Sequence, residues 1–181
     1  MKLKSITFLL VSLLSAAVLR AQFTRASLQA SGLTCAMCTK AIDNALKNLP
    51  FVDKVQPDIK NSSFDITFKS EPDIDALRLA VEDAGFFIAK LGVTGNFDHL
   101  QVGNDRHVTI GGKTFHFLAV KDQVLDGEKQ IVVVDKYFVT PNAFKKYSAQ
   151  TAMQCIKTGH AEACCEKGGL AAGTRIYHVT I

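Results

Sequence analysis

Net charge is scarce in this sequence once its beginning is set aside. The chain holds 21 Lys+Arg against 17 Asp+Glu. Three of the cations (Lys2, Lys4, Arg20) fall within residues 1–21, which carry no acid. The rest holds 18 basic and 17 acidic residues, a net of +1. Phosphate contacts need a basic face, so a strongly electrostatic nucleic-acid binder is excluded. Patterns that announce catalysis are also missing: there is no phosphate loop, no paired carboxylates and no Ser-His-Asp order. Nothing positive argues for an enzyme. Past the first residues, no apolar run is long enough for a membrane helix. Apolar residues are not lacking. They make up 48% of the chain, with 12 Phe, which argues for a packed core over disorder. The five cysteines are an odd number and fall into two groups, Cys35/Cys38 and Cys155/Cys164/Cys165.

Residues 1–21 read as a secretory signal peptide. Lys2 and Lys4 form a positive start, Ile6 to Leu19 an apolar run, and Leu19-Arg20-Ala21 a small-residue cleavage site before Gln22. The mature protein is therefore expected to be periplasmic or extracellular and not membrane-spanning, in a compartment where disulfides persist.

From Arg25 a periodic pattern emerges. Ala26, Leu28 and Ala30 alternate as a strand; Ile42, Ala45, Leu46 and Leu49 mark one face of a helix that Pro50 ends. Val52 and Val55 suggest a second strand, and Phe64, Ile66 and Phe68 a third after the Asn61-Ser62 turn. Ser70 to Asp73 has capping-box spacing before a second helix carrying Ile74, Leu77, Val81 and Ala84. Gly85 suits the position past its end. Phe86 to Val93 is a fourth strand. The order is βαββαβ, a ferredoxin-like arrangement.

Cys35-Ala36-Met37-Cys38 lies where the first strand passes into the first helix. Backbone N–H groups and the helix dipole favour thiolates there. Thiolates prefer soft ions such as Cu(I). Zinc asks for four ligands, or three and an open position. No His, Asp or Glu adjoins the loop, the nearest acid being Asp43. Two thiolates alone fit linear Cu(I) or Hg(II) better. Thr34 adds no carboxylate, and Met37 reads as a loop residue closing over the core. A thiol-disulfide redox pair is the competing reading, since such pairs also open helices. It lacks the proline loop expected opposite the thiols: the module's prolines are Pro50, Pro57 and Pro72.

The run GLTCAMC, the helix after it and the downstream EDAGF resemble the heavy-metal-associated domain, over residues 24–93. That family includes copper chaperones, modules of copper-transporting ATPases and the periplasmic mercury-binding protein. Leu33 stands where the family motif has Met, at a position expected to be buried. The resemblance implies that Cys35 and Cys38 ligate metal, most readily Cu(I), with Hg(II) or another soft ion as alternatives. It implies a transporter or acceptor protein as partner. Phe86 falls where many members carry Tyr near the metal.

The second half, residues 97–181, resembles no family. Thr94-Gly95-Asn96 reads as a linker. Asp105 to Ile110 and Lys113 to Lys121 flank Gly111-Gly112, a hairpin signal. Asp126-Gly127 reads as a turn and Gln130 to Val139 as a strand. A helix is expected from Pro141 through Phe144, Tyr147 and Thr151 toward Ile156, a loop over residues 160–174, and a closing strand from Arg175 to Ile181. Together these suggest a mainly-β module with one helix, in the manner of a small open barrel. Met153, Cys155, His160, Cys164 and Cys165 cluster in sequence. They fit either a second soft-metal site or a disulfide from Cys155 to Cys164 or Cys165. His116 and His178 lie on strands and either point to the same end as these donors or read as satisfied strand histidines; His99 and His107 read as surface residues. The expectation is an α+β, exported, non-enzymatic soft-metal-binding protein that carries or transfers Cu(I). The alternatives are an extracytoplasmic thiol-disulfide oxidoreductase and a partner-binding module with a regulatory metal site.

Overall fold

The computed structural model describes residues 23–33, 35–166 and 168–181. The expected signal segment and Thr34 lie outside them. Strand β1 (Phe23–Ser31) buries Phe23, Ala26, Leu28 and Ala30. Helix α1 (Ala36–Lys47) turns Ile42 and Leu46 into the core. Strands β2 (Val52–Asp58) and β3 (Ser63–Phe68) pair antiparallel, with Val52, Val55, Phe64, Ile66 and Phe68 inward.

Helix α2 (Ile74–Asp83) buries Ile74, Leu77 and Val81. Its cap is Asp73, whose carboxylate accepts from the Ala76 N–H at 3.0 Å. The helix thus starts one turn later than spacing from Ser70 suggests. Pro72 disfavours helical backbone at Glu71, so Ser70 cannot begin it. At the other end Gly85 takes φ +88, Phe86 N–H reaches the Val81 carbonyl at 3.0 Å and Gly85 N–H that of Glu82 at 2.8 Å. These bonds satisfy carbonyls the helix leaves over.

Strand β4 (Phe87–Val102) overturns the expected linker. Gly95 pairs with Phe23 on one side and Lys129 on the other. Leu91, Val93, Gly95 and Phe97 keep alternating inward, so a strand runs through residues that look like punctuation. Strands β5 (Arg106–Ile110), β6 (Lys113–Phe117), β7 (Gln123–Val133) and β8 (Ile176–Thr180) extend the same sheet. The order is β2-β3-β1-β4-β7-β8-β6-β5, antiparallel throughout except for β6 beside β8. It is an open sheet with β2 and β5 at its edges, rather than a small barrel. Gly111 and Gly112, at φ +58 and +80, make the tight turn of the β5–β6 hairpin. Asp126-Gly127 is not a turn between strands. It sits inside β7 opposite a bulge in β4 between Phe97 and Leu100, and Gly127 supplies the φ of +68 needed there.

One continuous core runs from Phe23 to Val179. The Phe23 ring lies 6.3 Å from that of Phe97 and 5.5 Å from that of Phe115. The other face of β6 and β8 carries a cover of short helices. It contains α3 (Pro141–Ser148), α4 (Cys155–Thr158) and α5 (Ala163–Glu166). The long helix expected from Pro141 therefore stops at Ser148, and α4 and α5 are single turns. Cys155, Ala161, Cys165 and Ile176 pack together beneath this cover. Among the described residues, no helix is long and apolar enough to cross a membrane.

Candidate metal centres

Cys35 caps α1. It takes extended backbone, and its sulfur accepts from the Cys38 N–H at 3.2 Å. That single turn brings the two sulfurs together: the Cα atoms are 5.3 Å apart and the Sγ atoms are in disulfide contact. Cys35 is exposed and Cys38 half-buried. The first turn of α1 holds no acid. A thiolate formed here would gain from the directed N–H and the helix dipole. Met37 lies in the first turn of α1 and is 74% exposed, instead of closing over the core from a loop. Leu33 is half-buried against the core. Phe86, which follows Gly85 past the end of α2, is also half-buried against it.

The second group of cysteines is arranged differently from either expectation. Cys155, Cys164 and Cys165 are all free. Cys164 is exposed, its sulfur 3.7 Å from that of Cys165. His160 is exposed and turns its Nδ1 to the Thr158 carbonyl at 2.9 Å. Cys155 is buried and faces strand histidines. Its Sγ lies 3.4 Å from His178 Nε2 and 3.8 Å from His116 Nδ1. The far nitrogens are held by carboxylates: His178 Nδ1 by Asp135 at 2.5 Å and His116 Nε2 by Asp105 at 2.9 Å. His116 and His178 are thus satisfied, as expected, but they also converge on one sulfur.

Burial, together with neighbouring His178 and His107, pushes His116 down to about 4. Burial and the adjacent Cys165 thiol push Cys155 up, so it stays protonated. Cys165 is likewise raised by burial, whereas backbone hydrogen bonding, first from Gln154, lowers Cys164.

Sequence reasoning missed His107, Asp105 and Asp135. His107 is half-buried and stacks on His116 with ring centroids 4.3 Å apart, so it is no surface residue. A signal for it existed. With Gly111-Gly112 as the turn, Ile110 pairs Lys113, and counting back sets His107 opposite His116. Asp135 follows β7 in an irregular stretch and has no periodic signal.

Residues 27–87 match the heavy-metal-associated domain family. The chain is 34% identical over 64 residues to a probable copper-transporting ATPase, HMA5, of Arabidopsis thaliana. It is 31% identical over 64 residues to copper-transporting ATPase 1 of Rhizobium meliloti. Each match covers 35% of this chain but only 6% and 8% of those relatives. Among solved structures, the yeast copper transporter domain CCC2A shares 28% identity, with 36% of this chain and 90% of that one covered at a TM-score of 0.34. Residues 27–87 are therefore a heavy-metal-associated domain, set in a sheet that continues through the rest of the chain.

Proposed function

We propose that this protein carries a soft metal ion as cargo, Cu(I) before Hg(II), on Cys35 and Cys38, and hands it to an acceptor or transporter outside the cytoplasm. The observation that carries this reading is the pair of sulfurs brought together at an exposed helix start whose first turn holds no acid. Two thiolates in the open satisfy an ion content with two soft ligands. They also leave it accessible to an incoming thiolate. The copper-transporting ATPases among its relatives support copper as the cargo. The signal-like residues 1–21 support export. The role is that of a carrier rather than an enzyme.

The test is anaerobic titration of the reduced chain with Cu(I), and separately Hg(II), against a competing chelator. The C35S/C38S double variant binds one equivalent fewer than its parent. Equal stoichiometry and affinity in both proteins would sink the assignment. The disulfide contact between Cys35 and Cys38 specifically favours a second reading, a thiol-disulfide oxidoreductase. That reading demands turnover in an insulin-reduction assay, which a metal carrier does not show.

A further inference from the structure

We propose that the second half of the chain holds a resident transition-metal site of the copper or zinc class, built from Cys155, His116, His178 and His107. It is independent of the Cys35/Cys38 reading.

Three adjacent strands create it. His107 on β5 is the register partner of His116 on β6, and His116 is the partner of His178 on β8. The pleat therefore puts three imidazoles in one row. Helix α4, in the cover over that face, delivers Cys155. His178 Nε2 and His116 Nδ1 lie 3.4 and 3.8 Å from its sulfur. A tetrahedral ion with metal–sulfur bonds of about 2.3 Å and metal–nitrogen bonds of about 2.0 Å sets sulfur and nitrogen ligands about 3.5 Å apart. The two sulfur–nitrogen separations present are close to that value. Potential ligand atoms of His107, His116 and Cys155 all lie within 4.8 Å of one another. His107 Nε2 is buried with no hydrogen-bond partner among the described residues, an orphan that an ion would satisfy.

The outer contacts have the same design. Asp105 and Asp135 hold the far nitrogens of His116 and His178, which fixes each ring and leaves its other nitrogen free to ligate. Cys155, Asp135 and His178 also have the connectivity of a thiol triad. Yet Cys155 and His178 are 0% exposed, so no substrate reaches the sulfur. A triad also gives no role to the second imidazole on that sulfur. Binding is a balanced exchange: the ion bonds to sulfur, the S–H bond breaks, and the thiol proton leaves to water. Thiolate with imidazole suits copper and zinc and disfavours the harder alkaline-earth ions. Enclosure makes the ion resident, unlike cargo on the open Cys35/Cys38 loop. Cys164 and His160 lie outside the ligand set.

The experiment uses the chain carrying C35S/C38S, titrated with Co(II), Zn(II) and Cu(I) under competition. One equivalent binds. Co(II) gives a sulfur-to-cobalt charge-transfer band, and close to one proton is released per ion at neutral pH. The relative affinities of Zn(II) and Cu(I) then name the ion. Adding C155S abolishes the band, whereas C164S and H160A leave it intact. D105N weakens binding about 10- to 100-fold, as loss of an outer carboxylate does at other metal-bound histidines. No bound ion in a C35S/C38S chain that melts like its parent overturns the proposal. So does binding unchanged by C155S. If C155S fails to fold, H107Q and D105N decide, and parental affinity in both overturns it.

Discussion

Arg175 clasps Asp75 from 100 residues away in sequence, Nε donating to Oδ2 at 2.9 Å and Nη2 to Oδ1 at 3.1 Å. Tyr177 adds its hydroxyl to Oδ2 at 3.0 Å and lays its ring under the guanidinium. The third nitrogen, Nη1, donates to Asp135 at 2.9 Å, the carboxylate that also holds His178. One arginine thus fastens helix α2 of the heavy-metal-associated domain to strand β8 and to the histidine row.

Replacing this arginine is expected to cost more than losing a surface ion pair. Asp135 has a side chain 5% exposed, and R175M would leave it buried without its cation. Breaking a buried pair from one side costs about 3–5 kcal/mol. D75N keeps a hydrogen-bonding group beside Arg175 and costs less. Urea unfolding of the two variants checks the order. Equal midpoints for R175M and the parent would refute it.

Acid should loosen the same clasp. Burial works against the charge on Asp75, but Arg175, Tyr177 and Arg78 outweigh it and hold its carboxyl below the usual value. A lowered folded-state value contributes stability that is complete above the unfolded value near 3.8 and is lost as pH falls through the folded one. The melting temperature should therefore fall more steeply below about pH 4 in the parent than in D75N. Parallel curves would exclude Asp75 as a source of the acid sensitivity.

The continuous core predicts a single unfolding transition. The three tyrosines, Tyr137, Tyr147 and Tyr177, all lie in the second half. Tyrosine fluorescence reports that half, while far-UV circular dichroism reports the whole. The two curves should superimpose. F23A, in the first strand, should shift both together by about 3–5 kcal/mol because its ring packs on Phe97 and Phe115. Separate transitions would mean two independent domains.

Gly127 provides a local test of the bulge. A Cβ there meets nothing within 4 Å, so only the backbone at φ +68 resists a side chain. G127A should cost about 1 kcal/mol or somewhat more, read from the denaturation midpoint. A neutral result would mean that β7 passes the bulge without the left-handed residue.

The first half was legible because its elements are short, periodic and punctuated. Ile42 and Leu46, then Phe64, Ile66 and Phe68, declare their faces, and Asp73 and Gly85 bracket α2. The junction was not. Gly95 and Asn96 have loop chemistry, and only pairing with β1 and β7 makes them strand, a tertiary effect. Of the candidate metal residues, Cys35 and Cys38 announce themselves by spacing, and their closeness needs one helical turn. The histidine row needs strand register and a parallel neighbour far along the chain, which local patterns do not carry. Cys155 sits in a cover of single turns, where no periodicity says which way it points.

Strand β8 lies between β7 and β6, so the β5–β6 hairpin has no place in the sheet until residues 176–180 arrive. Before then Phe115 and Phe117 lack their covering strand, and His116 lacks His178. Such non-local closure is slow, because loop entropy is lost before any contact repays it. The heavy-metal-associated domain pairs β1 with β3 and β4 without residues 176–180, whereas the Cys155 cluster and the β5–β6 hairpin depend on them for their place in the sheet.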